Sequence, residues 1–152
     1  MESSDTKYRL KLALGFLSEA KEQFKHKLFR AVVDDAQLSV ENSIKAVIAL
    51  FKPVPKIHEI DETIEDLLEE VEFSENERQK LKRLQELAEI LGFETHLRTD
   101  YGDELQQVTP WELYDEDEAQ KALSFAEESF NIADELLRNR LNGAGKGKSP
   151  CL

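Results

Sequence analysis

The chain has 152 residues, which is the size of one ordinary domain with a sizeable core. Its formal net charge of −12 at pH 7 argues against non-specific binding to DNA, because a phosphate backbone must be neutralised by clustered lysines and arginines. No apolar run approaches the length of a membrane span, the N-terminus does not have the order of a signal peptide, and the single cysteine, Cys151, offers no internal disulfide. We therefore expect a cytoplasmic protein without a membrane segment.

Two helices are predicted in the first third of the chain. The first follows a cap at Ser4 or Asp5, and a second begins near Leu28 and is ended by Pro53 and Pro55. The spacing of the apolar residues in the first helix predicts one buried face, made of Leu10, Ala13, Leu14, Leu17, Ala20 and Phe24.

The second helix carries apolar residues on two sides. Leu38 and Ala49 point almost opposite to the main stripe, so we expect a second face that is covered by another helix or by a partner subunit. Glu41 and Lys45 have the spacing of a surface ion pair. The main stripe consists of Ala36, Val40, Ile44, Val47 and Phe51.

Three further helices complete the prediction. The third lies in the acidic segment 59–77, whose charged face is either simply solvated or a docking surface for a basic partner. Ser74 and Glu77 have capping-box spacing at the start of the fourth helix, Gly92 ends it, and the last helix begins near Asp115. Inward-facing residues of the third helix are predicted to be Ile60, Ile64, Leu67, Leu68 and Val71.

These elements together predict an all-α fold. Five helices with mostly short connections favour an up-and-down antiparallel bundle over residues 1–141. The remaining residues, 142–152, are rich in glycine and lysine and are predicted to form a flexible C-terminal tail. The stretch "GAGKGKSP" in that tail imitates a phosphate-binding loop but lacks the flanking strand and helix.

The stretch "AQLSVENSIKAVIALF" (36–51) resembles the second-helix signature of HEPN domains (higher eukaryotes and prokaryotes nucleotide-binding), through Ala36, Glu41, Lys45 and Ala46. The turn containing His58 and the segment "HLRTDYGDELQQVTPWELYDEDEA" before the last helix extend the resemblance to about residues 8–140. It implies a helical bundle that forms a homodimer. Because the family is often found beside a small nucleotidyltransferase, it also implies such a partner, in a two-component, toxin–antitoxin-like module.

Ribonuclease members of this family carry an arginine followed after four to six residues by a histidine, and this sequence departs from that pattern. None of its arginines has a histidine at that distance. Arg98 lies in the expected region, but Asp103 and Glu104 follow it, and carboxylates repel an RNA phosphate. We therefore predict a binding or interaction subunit rather than an enzyme. The alternative is a ribonuclease with a displaced active site built from Arg98 and His96.

Residues 93–114 are expected to be irregular and to hold any binding site, because long irregular stretches in compact domains are usually functional. We predict that a nucleotide binds between this segment and the second helix, against Arg98, Lys45 and Tyr101. The alternative for Arg98 is an internal ion pair with Asp100 or Asp103.

Two other expectations concern the same segment. Trp111 is expected to be a buried anchor, since tryptophan is usually largely buried. His96 and Asp100 are four residues apart, but no second histidine or cysteine lies nearby, so no metal site and no cofactor are expected.

Overall fold

The computed structural model describes residues 4–56 and 60–144, so His58 and residues 145–152 lie outside the described part of the chain. Within it the all-α prediction is confirmed, because seven α-helices and no β-strand are present. The helices are α1 (Ser4–Lys25), α2 (Phe29–Ala49), α3 (Ile60–Glu70), α4 (Glu75–Ile90), α5 (Phe93–Tyr101), α6 (Pro110–Leu113) and α7 (Glu116–Ala144).

Helix α2 is the central helix of the bundle. It packs most extensively against α1 and α7 and also contacts α4, α5 and α6. Its core residues fall into two buried clusters, one around Ile44 and Ile48 and one around Val32 and Val40. The residues of α2 that are only half-buried recur every three or four positions and form one stripe, made of Ala31, Asp34, Leu38, Glu41, Lys45 and Ala49. The predicted second face is therefore the face that the other described helices cover least.

Ion pairs join α4 to α7. Arg83 Nε lies 2.7 Å from Glu128 Oε2, and Lys80 Nζ lies 2.8 Å from Glu135 Oε1. Near the end of α7, Arg140 contacts both carboxylate oxygens of Glu77, at 3.0 and 3.2 Å. We call this set of three ion pairs the α4–α7 seam.

Most predicted helix boundaries agree with the structure. Leu28 directly precedes α2, Ser74 and Glu77 form both hydrogen bonds of the capping box, and Asp115 Oδ1 accepts from Glu118 N at the start of α7. Helix α7 continues to Ala144, three residues into the segment predicted as tail.

One residue of the predicted core face of α1 is placed differently. Leu14 is 48% exposed. It lies about 90° around the helix from the middle of the face that Leu10, Ala13 and Ala20 bury, so it sits at the edge of the contact with α2.

The prediction that residues 93–114 are irregular is wrong for most of the segment. Residues 93–101 form α5 and residues 110–113 form α6, which Thr109 and Glu112 open with a second capping box. The sequence signal for α5 is weak because its only N-cap residue is Gly92, without a side-chain cap, and because Thr, His and Asp are poor helix formers. Between the two helices, Asp103 and Val108 exchange backbone hydrogen bonds of 2.8 and 3.0 Å.

Candidate functional site

Arg98 lies between two open clefts. The first, which we call the α2 cleft, has a volume of about 490 Å³ and lies between α2, α4 and α5. The second, which we call the α7 cleft, has a volume of about 580 Å³ and lies between α5 and α7. Arg98 and Thr95 of α5 line both clefts, together with Ile90 and Leu91. Arg98 therefore has access to a ligand from either side of α5.

The α2 cleft lies where the sequence predicted a nucleotide, but its charges are mostly negative. Gln37 and Glu41 of α2 contribute to its lining. Lys45 lines neither cleft, because its ammonium is held 2.7 Å from Glu41 Oε2 by an ion pair in which both side chains are largely buried. The carboxylates that line this cleft belong to Glu41, Asp61, Glu89 and Glu94.

The α7 cleft combines cations with an apolar wall. Lys121 lies on α7 and faces the cleft with Arg98, while Val33 and Phe125 contribute apolar surface. Two carboxylates, from Asp115 and Glu118, also line it. The volume of this cleft lies within the usual range of small-molecule sites.

Tyr114 lines the α7 cleft and forms a hydrogen bond with Arg98. Burial raises the pKa of its hydroxyl, and the charge of Arg98 and a hydrogen bond from it act in the opposite direction without overcoming that rise. Within the part of the chain that the structure describes, Arg98 forms no ion pair with a carboxylate. The internal ion pair expected as an alternative is formed instead by Arg30, whose Nη1 lies 3.9 Å from Asp100 Oδ1.

Tyr101 lies on the solvent side of α5 and is 63% exposed. It lines neither the α2 cleft nor the α7 cleft. The structure therefore does not gather Lys45, Arg98 and Tyr101 around one cavity. The sequence-based interpretation missed Lys121, which lines the α7 cleft together with Arg98 only in the folded chain.

His96 and Arg98 face different directions. They are two residues apart on α5, which separates their side chains by about 200° around the helix axis. His96 Nδ1 lies 3.8 Å from Asp34 Oδ1 of α2, and the ring contacts Phe93 at a centroid distance of 6.3 Å. This arrangement argues against a ribonuclease site in which the two residues act on the same phosphate.

The expectation that Trp111 is a buried anchor is wrong. Its side chain is 72% exposed, and Pro110 is buried in its place. With Pro110 at the first position of the one-turn helix α6, Trp111 falls on the outer face, where its ring lies 5.9 Å from the Arg30 guanidinium. A cation–π contact of this kind tolerates solvent.

Neither a metal centre nor a membrane span emerges from the described residues. Residues 4–56 and 60–144 contain no group of three or more His, Cys, Asp or Glu side chains that could hold a metal ion. None of the helices in those ranges is both long and apolar enough to cross a bilayer.

Comparisons with known proteins agree with the fold. The crystal structure of TT1696 from Thermus thermophilus superimposes with a TM-score of 0.65 at 21% sequence identity, covering 88% of this chain and 98% of that one. No curated protein matches the chain. The sequence model of the HEPN domain matches residues 6–136, which is most of the chain and includes α2, both clefts and the segment of Arg98. This protein belongs to the HEPN domain family.

Proposed function

We propose that this protein is a binding subunit of the HEPN family that takes a nucleotide through Arg98, forms a homodimer and acts with a small nucleotidyltransferase in a toxin–antitoxin-like module. The observation that carries the nucleotide part is the position of Arg98. It is a partly buried guanidinium, without a carboxylate partner among the described residues, at the border of two open clefts.

The α7 cleft suits the phosphate better than the α2 cleft. Arg98 and Lys121 both line the α7 cleft, and the hydroxyls of Thr95 and Tyr114 add hydrogen-bonding groups. A phosphate in the α2 cleft meets carboxylates instead, which costs Coulomb energy. The apolar wall that contains Val33 and Phe125 offers a surface for a base.

The half-buried stripe of α2 supports the homodimer. Leu38 lies on that stripe, and the described helices of the same chain leave it partly open. Leu38→Glu places a charge on this surface, which a subunit interface accommodates poorly. Light scattering is then expected to show helical monomers in place of dimers. A variant that stays dimeric at micromolar concentration would remove α2 from the interface.

Titration calorimetry with ATP and GTP tests the nucleotide site. A charge-assisted hydrogen bond contributes about 1.5–3 kcal/mol, so Arg98→Ala is expected to weaken binding at least about tenfold. Lys121→Ala should weaken it less, because a lysine acts as a point charge without the bidentate geometry of arginine. Arg138→Ala is the matched control, since Arg138 is half exposed on α7 and pairs with Asp134.

The outcomes separate the parts of the proposal. Equal affinity of wild type and Arg98→Ala would remove Arg98 from the site, and no binding by wild type would leave only the interaction role. Native mass spectrometry of the protein from its own cells addresses that role directly. Retention of a nucleotidyltransferase is the expected result, and a homodimer without any partner contradicts the module.

A further inference from the structure

The α2 cleft contains a buried hydrogen-bond acceptor that no described group satisfies. Gln37 is 1% exposed and lines the cleft. Its Nε2 donates to Glu41 Oε1 at 3.3 Å, which fixes the amide so that Oε1 is left as the free acceptor. Gln37 Oε1 is buried and has no hydrogen-bond partner within residues 4–56 and 60–144. A buried acceptor without a donor is costly, so this position is suited to a ligand that brings an N–H group.

Three carboxylates at the rim of the same cleft are also unpaired. Asp61, Glu89 and Glu94 line the cleft from the start of α3, the end of α4 and the start of α5. None of them forms an ion pair with another described residue, whereas Glu41 is already paired with Lys45. Arg98 is the one cation in the lining, so the described part of the cleft carries an excess of negative charge.

The spacing of these carboxylates points away from a metal ion. No three acidic or histidine side chains among residues 4–56 and 60–144 converge closely enough to hold a metal. The wall between them is apolar and includes Ile44, Ile60 and Phe93. Separate negative charges joined by apolar wall match a ligand in which ammonium groups are joined by methylene chains.

We propose that the α2 cleft is a binding site for an aliphatic polyamine, with one ammonium group donating to Gln37 Oε1 and Glu41 and the others meeting the carboxylates at the rim. The volume of about 490 Å³ lies within the usual range for small-molecule sites. This site adjoins the α7 cleft, where we place the nucleotide, and shares Arg98 and Thr95 with it, but Gln37 and the carboxylates of the proposal line the α2 cleft alone.

Titration of the full chain with spermidine at physiological ionic strength tests the proposal. Wild type is expected to bind one spermidine per chain, and Gln37→Leu is expected to bind about tenfold more weakly, because it removes the buried acceptor at nearly unchanged side-chain size. The double variant Glu89→Gln/Glu94→Gln should weaken binding about two- to fivefold, as expected for exposed charges. Its matched control is Asp66→Asn/Glu69→Gln, which removes the same charge from the exposed face of α3.

The controls separate a specific site from general attraction to an acidic protein. Equal weakening by the two double variants, or equal competition by Mg²⁺ at matched ionic strength, would overturn the proposal, because both would show diffuse counterion binding. Absence of spermidine binding would overturn it as well. If Gln37→Leu does not fold, the double variants decide alone, and unchanged affinity in Glu89→Gln/Glu94→Gln contradicts the site.

Discussion

The α4–α7 seam and the region around α2 and α5 differ in how their charged and polar side chains are paired. In the seam, Arg83, Lys80 and Arg140 each contact a carboxylate across two helices at 3.0 Å or less. Around α2 and α5, Gln37 Oε1, Asp35 Oδ2 and His96 Nδ1 are buried without a hydrogen-bond partner among the described residues, and Arg98 faces open clefts. Buried groups left unpaired cost stability, and sites of binding are where such costs are commonly found. The seam therefore contributes paired charges between two helices, whereas the α2–α5 side carries the unpaired groups on which the proposed binding sites rest.

The largest effect is expected from Gly102→Ala, at the C-terminal end of α5. Gly102 has a φ of 70°, and a Cβ there would collide with the Val108 carbonyl oxygen. The variant should lose about 2–4 kcal/mol of unfolding free energy, measured by urea denaturation. Gly15→Ala is the matched control, because nothing lies within 4 Å of its Cβ and alanine favours the helix. Equal stability of Gly102→Ala and wild type would contradict the close approach.

A smaller effect on stability is expected from Asp35→Asn, and its size should depend on pH. Burial raises its pKa from 3.8 to about 6, and the charges of Glu19 and Asp34 act in the same direction. The folded state then holds the proton more tightly than the unfolded chain, so this group costs stability as pH rises through about 4 to 6. Asp35→Asn should gain at most about 3 kcal/mol at pH 7 and nothing below pH 4.

Urea denaturation of both proteins at several pH values measures this difference. Asp66→Asn, at an exposed position of α3, is the control and should show no such pH dependence. A stability difference between wild type and Asp35→Asn that stays constant from pH 4 to 7 would contradict the raised pKa.

The seam is tested by Arg140→Ala, which is expected to cost about 1–2 kcal/mol. The guanidinium contacts Glu77, donates to the Glu72 carbonyl at 2.8 Å and lies 4.9 Å from the centre of the Phe73 ring. Arg138→Ala, on the same helix, loses a single ion pair in which the guanidinium is half exposed, and should therefore cost less than Arg140→Ala. Thermal denaturation by circular dichroism compares the two, and equal losses would contradict the special role of Arg140.

The smallest effect is expected from truncation after Ala144. The last described helix ends there, and the composition of the following residues lacks the spacing of a core. The melting temperature should change by less than about 2 °C, which corresponds to less than roughly 0.5 kcal/mol. A larger decrease would show that residues 145–152 contribute to the fold.

The bundle was predictable because local sequence patterns mark most of its helices. Apolar spacing placed Leu10, Ile44 and Ile64 in the core, and the capping box of Ser74 and Glu77 marked the start of α4. Helix α5 was missed because its stability comes from packing on α2 and α6, which no local pattern records. Trp111 was predicted wrongly for a different reason: tryptophan is usually buried, but here it lies on the outer face of α6.

The sequence could single out Arg98 as a candidate from its position in the family resemblance, but the residues that lie beside it are set by tertiary packing. For Lys45 the sequence predicted an ion pair with Glu41 as well as a ligand contact, and the structure shows the ion pair. Gln37 and Lys121 lie on helices far from Arg98 in sequence. Only the folded chain shows that Gln37 lines the α2 cleft with Arg98 and that Lys121 lines the α7 cleft with it.

Glu77 takes part in two contacts that join different parts of the chain. Its backbone N–H and its carboxylate close the capping box of α4 with Ser74, and the same carboxylate receives Arg140 from the last turns of α7. Ser74 and Arg140 both hold the pKa of Glu77 below its ordinary value, against the rise caused by burial. The first turn of α4 and the end of α7 should therefore open as one cooperative unit, with matching hydrogen-exchange protection in two segments that lie far apart in the chain.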